Sequence, residues 1–308
     1  MKVFHGITEA RELSGCALAL GNFDGVHLGH QALFAEARRQ GAPVAALTFQ
    51  PHPGKVLQPD LAPQLITLLP RKLELLAAIG LDATVVQPFT RDYARLSPRE
   101  FEASLLDELG ARHLVVGYDF TYGAGRAGSV ETLRAAAEAR GARVHRVEPV
   151  TVDGLVASSS KVREYILEGR VGAAQRLLGR PFDLEGTVVT GQGRGRGIGF
   201  PTANVDTQNE LRPAAGVYAI RVRFREALDA PWLPGVANIG VKPTFGVHEV
   251  TIEAHLLDFN ADLYGRELRV EFLDRLRAER RFASVAELVG QIKRDVEAAR
   301  AVIARASE

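Results

Sequence analysis

The residues that could do chemistry cluster in a few short segments. In "GNFDGVHLGH" (21–30), His27 and His30 stand three apart among Gly21, Gly25 and Gly29. Residues at i and i+3 share a helix face, so both imidazoles can address one ligand. At a helix entry they would join free N–H groups and the positive end of the helix dipole. That combination suits a triphosphate and the charge that develops when its α-phosphate is attacked. The same histidines could instead serve as turn and cap residues, or as zinc ligands with His52 as a third. In "SSSKVRE" (158–164), Ser158, Ser159 and Ser160 precede Arg163, whose guanidinium fork fits paired phosphate oxygens. A serine there can also cap a helix, with Glu164 completing the cap.

Two further segments lie past the middle of the chain. "GRGRGIGFPTAN" (193–204) carries Gly193, Gly195, Gly197 and Gly199, which would let backbone N–H groups face one phosphate-sized anion beside Arg194 and Arg196. It is not a dinucleotide fingerprint, because the third glycine comes one residue early and no helix follows. Nor is it a P-loop, since no Gly-Lys pair is followed by Ser or Thr. Thr202 and Asn204 are two apart and share a face in an extended segment. Their oxygens are hard ligands suited to Mg²⁺ held jointly with substrate phosphates. In "EVTIEAHLLD" (249–258), alternation puts Val250, Ile252, Ala254 and Leu256 on one face and Thr251, Glu253 and His255 on the other. Glu253 is then a mid-strand carboxylate, either a solvated strand residue or a proton acceptor for an attacking hydroxyl.

The elements that must position these residues change in kind along the chain. Apolar runs at 16–20, 43–49, 83–89, 113–117 and 143–147 read as strands, and 30–41, 70–80, 97–110 and 129–141 as helices between them. This α/β alternation implies a Rossmann-like parallel sheet with helices on both faces. The polar and glycine-rich segments follow the strands, at the sheet edge where such folds bind ligands. Residues 161–182 read as two short helices. Beyond about 183 come successive strands without crossover helices, then one helix over 284–306, which suggests an antiparallel barrel or sandwich with a terminal helix.

Composition narrows the class. A net charge of +1 from 38 basic and 37 acidic residues supplies no global field for nucleic acid or an anionic membrane. No apolar run approaches the length of a membrane span, and "MKVFHGITEARELSG" lacks the apolar core of a signal peptide. A single cysteine, Cys16, excludes an intramolecular disulfide and a cysteine-based zinc site. The expectation is a cytoplasmic enzyme, a monomer or weak homo-oligomer, acting on small molecules.

"GNFDGVHLGHQ", "FQPHP", "GYDFTYGAGRAG" and "SSSKVRE" together resemble the adenylyltransferase module of prokaryotic bifunctional riboflavin kinase/FAD synthetases. "GRGIGFPTAN", "ANIGVKPTFG", "EAHLLDFNADLYG" and "RRFAS" resemble the kinase module, in the family's order. Gln50, Ser160 and Lys242 depart mildly from that pattern. The resemblance implies a nucleotidylyltransferase-like domain over 1–182 and a β-barrel riboflavin kinase domain over 183–308. It implies phosphorylation of riboflavin to FMN and adenylylation of FMN to FAD, both using ATP and Mg²⁺. By the same resemblance Gly21, Asn22, Phe23, Asp24, Gly29, Asp119, Ser158, Ser159 and Ser160 join His27, His30 and Arg163 around ATP. His52, Pro53 and Tyr122 meet the flavin, Thr202 and Asn204 hold Mg²⁺–ATP, and Glu253 takes the proton from the ribityl 5′-hydroxyl. FMN already carries an ionised phosphate, so its attack on ATP needs positioning and charge neutralisation rather than a base. The competing readings are an adenylyltransferase for another substrate fused to a binding barrel, and a flavin-binding regulatory protein.

Overall fold

The computed structural model describes residues 1–41, 43–191, 197–244 and 247–306, with the side chains of 241–249 left out. Gly193 and Gly195, with Arg194 and Arg196, therefore lie outside the described residues, as does the side chain of Lys242. The chain packs as two compact units, Met1–Ser159 and Ser160–Glu308. Among the described residues no helix is long and apolar enough to cross a membrane.

The first unit is a parallel sheet of β1 (Lys2–Phe4), β2 (Ala17–Leu20), β3 (Val44–Gln50), β4 (Ala83–Pro88), β5 (His113–Gly117) and β6 (Arg143–Val147). The spatial order is β1-β4-β3-β2-β5-β6. Around it run α1 (Leu28–Arg39), α2 (Pro53–Leu57), α3 (Leu69–Ala78), α4 (Pro98–Ala103) and α5 (Val130–Glu138). Alternate strand residues feed two cores. Leu18, Leu20, Ala45 and Leu47 pack with Phe101 of α4 and Leu133 of α5. Ala17, Ala19, Val44 and Ala46 pack with Phe34 of α1 and Leu76 of α3. Burial on both faces is why these strands read as unbroken apolar runs. The helix expected over 97–110 begins at a Ser97–Glu100 capping box and finishes as a π-helical stretch, Ser104–Glu108. The elements not expected include β1, at the sheet edge beside β4, helix α2, and the hairpin β7 (Thr151–Val152) and β8 (Leu155–Val156). From β2 the chain builds β3 and β4 on one side and later β5 and β6 on the other. The carboxyl ends of β2 and β5 therefore form the crevice where order reverses.

Helix α6 (Ser159–Leu167) leads into the second unit, followed by α7 (Val171–Leu178). Strands β9 (Phe182–Val189), β10 (Ala203–Asp206), β11 (Gly216–Phe224), β12 (Leu233–Thr244), β13 (Val247–Leu256) and β14 (Glu267–Arg277) close an antiparallel barrel in the order β10-β13-β12-β11-β14-β9. Closure leaves no open sheet edge. The terminal helix α8 (Val285–Arg305) lays Val296, Ala299 and Val302 on Val217, Ala219, Val236 and Leu273.

Candidate active site

In the first unit a cavity of about 280 Å³ opens at the ends of β2 and β5, lined by Gly21, His27, His30, Asp119, Ser158 and Ser159 among others. Gly21 and the start of α1 line it, joined by the loop 22–26. The loop is bent: Phe23, Gly25 and Val26 all have positive φ, a costly conformation for the two non-glycine residues that the surroundings must enforce. They do so from several sides. Asp24, 2% exposed, accepts the N–H groups of Ile66 (3.0 Å) and Thr67 (3.1 Å). The Ser159 hydroxyl donates to the Asp24 carbonyl at 2.9 Å, and Lys72 of α3 donates to the Asn22 carbonyl at 2.8 Å. Gly29 admits no side chain, since a Cβ there would lie 2.9 Å from the Ala157 carbonyl oxygen and 3.0 Å from the His27 ring.

His27 caps α1, its Nδ1 accepting the His30 N–H at 3.4 Å, which leaves the proton on Nε2. The two rings stack with centroids 3.6 Å apart, and Phe23 meets His30 edge-on at 5.3 Å. Burial, then the neighbouring His27, then Lys72 hold His30 well below its ordinary pKa. Burial thus makes His30 a hydrogen-bonding group at pH 7 rather than a cation. The His30 Nδ1 is buried with no partner among the described residues. A buried polar atom left open at a cavity wall is an invitation to a ligand.

The other expected residues are not all at this cavity. Phe23 is fully buried and the Asp24 carboxylate is bound to Ile66 N–H, so neither side chain lines the cavity. A carboxylate there would in any case repel phosphate. Tyr122, expected at the flavin, is buried in the core, its hydroxyl bonded to Glu102 at 2.5 Å and Thr132 at 3.1 Å. His52 caps α2, its Nδ1 accepting from Gly54 at 3.1 Å, with Pro53 as the first helical residue. Ser160 is exposed and Arg163 half-buried on α6, in the second unit, and Glu164 is taken by Lys161 at 2.6 Å rather than completing a cap. Lys72 had no signal in the sequence, where it reads as one more charge on an amphipathic helix.

In the second unit, Thr202 and Asn204 are half-buried and alternate with the buried Ala203 and Val205. Asn204 lies directly opposite Glu253 on β13, and Glu253 opposite Asn238 on β12. Residues paired in this way have Cβ atoms about 4.5–5.5 Å apart on one face. Ile252, Ala254 and Leu256 are buried while Thr251, Glu253 and His255 are half-buried, the expected split of faces. The His255 Nδ1 meets the Pro201 carbonyl at 2.8 Å, which anchors the segment leading to Thr202. Gly191 lies against the Asn204 amide where no Cβ would fit. Gly197 and Gly199, the latter at φ 85°, have open space around them. Beside this row a cavity of about 690 Å³ is lined by Val188, Thr202, Leu256, Phe259, Asp262 and Tyr264, among others. Asn238 and the 259–264 loop fall in the stretches "ANIGVKPTFG" and "EAHLLDFNADLYG" quoted for the resemblance but were given no role there; strand register sets Asn238 opposite Glu253. The neutral oxygen donors of Thr202 and Asn204 fit a hard cation that arrives with nucleotide phosphates.

The family model described as FAD synthetase matches residues 9–161, and the one described as riboflavin kinase matches residues 178–303. The bifunctional riboflavin kinase/FMN adenylyltransferase of Escherichia coli is 40% identical over 94% of this chain and 93% of its own length. That of Bacillus subtilis is 38% identical over 92% of this chain and 91% of its own. A crystal structure from Streptococcus pneumoniae described as a macrolide-efflux protein is 33% identical, with a TM-score of 0.88 across 97% of this chain and 98% of that one.

Proposed function

The chain belongs to the bifunctional riboflavin kinase/FMN adenylyltransferase family, and from that premise we propose how its residues divide the two reactions. Residues 1–182 form the adenylyltransferase and 183–308 the kinase. Both reactions use ATP. In the kinase, Glu253 accepts the proton of the ribityl 5′-hydroxyl as that oxygen attacks the γ-phosphorus of ATP and ADP leaves. Thr202 and Asn204 would hold Mg²⁺ together with the ATP phosphates, and the ion supplies charge neutralisation there when bound. Asn238, flanking Glu253 on the other side, orients the carboxylate toward the hydroxyl. The cavity beside Thr202 receives the nucleotide.

In the adenylyltransferase, an FMN phosphate oxygen attacks the α-phosphorus of ATP and pyrophosphate leaves. No base is required. His27 and His30 hydrogen-bond the phosphates, and the N–H groups at the start of α1 face the same charge. Ser158, Asp119 and the backbone of Gly21 and Gly29 bound the site.

The observation that most supports this reading is the register pairing of Asn204 with Glu253. It brings a metal-competent donor and a carboxylate together from segments nearly fifty residues apart. The test is incubation of the pure protein with riboflavin, ATP and Mg²⁺, followed by chromatographic separation of the flavins. Glu253→Gln is expected to lower FMN formation about 10²–10⁴-fold while leaving adenylylation of supplied FMN intact. His30→Ala is expected to do the reverse. Equal loss of both activities in either variant refutes the division of roles.

A further inference from the structure

Behind the loop 21–26 lies a charged group with no part in the roles assigned so far. Lys72 on α3 is 5% exposed. Its Nζ donates to the Asn22 carbonyl at 2.8 Å and reaches the Thr48 hydroxyl at 3.4 Å, while that hydroxyl donates to the same carbonyl at 3.0 Å. One carbonyl oxygen of the phosphate-side loop thus collects two donors. Burying an ammonium is costly, and an apolar side chain of similar length would fill the same space at less cost. The charge also reaches the site itself, since it helps to depress the basicity of His30.

We propose that Lys72 is a positioning residue for adenylyl transfer: its ammonium holds the Asn22 carbonyl and so sets the loop 21–26 for the ATP phosphates. The inference rests on the assignment of the first cavity to FMN adenylylation. The titratable groups facing Lys72 are Asp24 on the loop and His30 on α1, with His27 stacked on His30; β3 presents the neutral Thr48. Burial lowers the Lys72 pKa from 10.5 to about 8, with Asp24 opposing. The ammonium is present at pH 7 and is lost as pH rises through about 8. Over that window the unfolded chain, with its ordinary lysine, binds the extra proton, so folding stability from this group rises with pH. A loss of rate there is consequently not a loss of fold.

The experiment follows initial rates of both reactions on the full chain from about pH 6.5 to about pH 9.5. FAD formation is expected to fall about tenfold per pH unit above about 8, as one essential proton leaves, while FMN formation from riboflavin does not follow it. Lys72→Met is expected to lower the kcat of adenylylation about 10–100-fold, the worth of one buried charge-assisted hydrogen bond. It should also abolish the alkaline limb and move the acid limb to higher pH as His30 becomes easier to protonate. The far-UV circular dichroism of the same variant, matched to the wild type, reports that the first unit, which holds Lys72, is folded. FAD formation by the wild type that stays flat through pH 8–9 overturns the proposal even if the variant does not fold. A Lys72→Met enzyme with the wild-type alkaline limb overturns it equally. Absence of any FAD formation by the wild type overturns the site assignment, and the proposal with it.

Discussion

Asp24→Ala separates the scaffold of the first site from its chemistry. The carboxylate is buried and accepts two backbone donors, Ile66 N–H at 3.0 Å and Thr67 N–H at 3.1 Å. Both donor residues are themselves buried, so water does not replace the lost acceptor. Each orphaned buried donor costs about 1–3 kcal/mol, which gives about 4 kcal/mol for the pair. Removing Asp24 also removes the charge that holds the Lys72 pKa up against burial, so the ammonium is lost at lower pH. The assay is urea unfolding followed by far-UV circular dichroism, with fluorescence as the reference. Trp232 is the chain's single tryptophan and lies in the second unit, so its fluorescence reports the barrel alone. The dichroism transition of the first unit is expected to lose about 4 kcal/mol while the Trp232 midpoint holds. FAD formation falls and FMN formation persists. Asp24→Asn, which keeps one acceptor oxygen, should lose about half as much stability. A cost below about 1 kcal/mol for the alanine variant, or an equal shift of the Trp232 transition, refutes the reasoning.

Two further perturbations test other parts of the structure. Asp295 on α8 is 5% exposed and takes Arg277 of β14 through three N···O contacts of 2.8–3.1 Å, with Gln291 at 2.7 Å. Asp295→Ala leaves the guanidinium without its partner and should cost the barrel about 3 kcal/mol, read as a lower urea midpoint of Trp232 fluorescence. In the first unit, the His113 Nδ1 and His145 Nε2 lie 3.1 Å apart on neighbouring strands. Burial, then His113, hold the His145 pKa below its ordinary 6.5, with Glu36 opposing. The native state thus keeps His145 neutral while the unfolded chain protonates it, so stability present above about pH 6.5 is lost as pH falls below that value. The drop in urea midpoint between about pH 7 and about pH 5 should shrink in His145→Gln; an unchanged drop refutes the assignment.

The sequence was most legible where function needs a local pattern and least where it needs a distant partner. Strand 16–20, the glycine-flanked His27 and His30 and the helix behind them are contiguous, so the crevice at the end of β2 could be read from one stretch. The split of faces along 249–258 was equally local. What could not be read is register. Asn204 faces Glu253, and Glu253 faces Asn238, only after the barrel closes. β1 escaped notice because three residues carry no period; its place beside β4 is decided by pairing with 83–85. Tyr122 shows the reverse error. Given to the flavin by family resemblance, its hydroxyl is instead bound in the core by Glu102 and Thr132, which come within reach only in the folded state. Lys72 is the sharpest case. In "PRKLELL" it reads as the polar side of an amphipathic helix, and the helical period is correct: Leu75 and Leu76 are buried as that period requires. The lysine is buried as well, because the Asn22 carbonyl and the Thr48 hydroxyl of neighbouring elements bind its ammonium. Periodicity measures the average preference of a face for apolar atoms. It cannot register a charge whose partners lie on other elements, and such charges are the ones that set protonation states in a site.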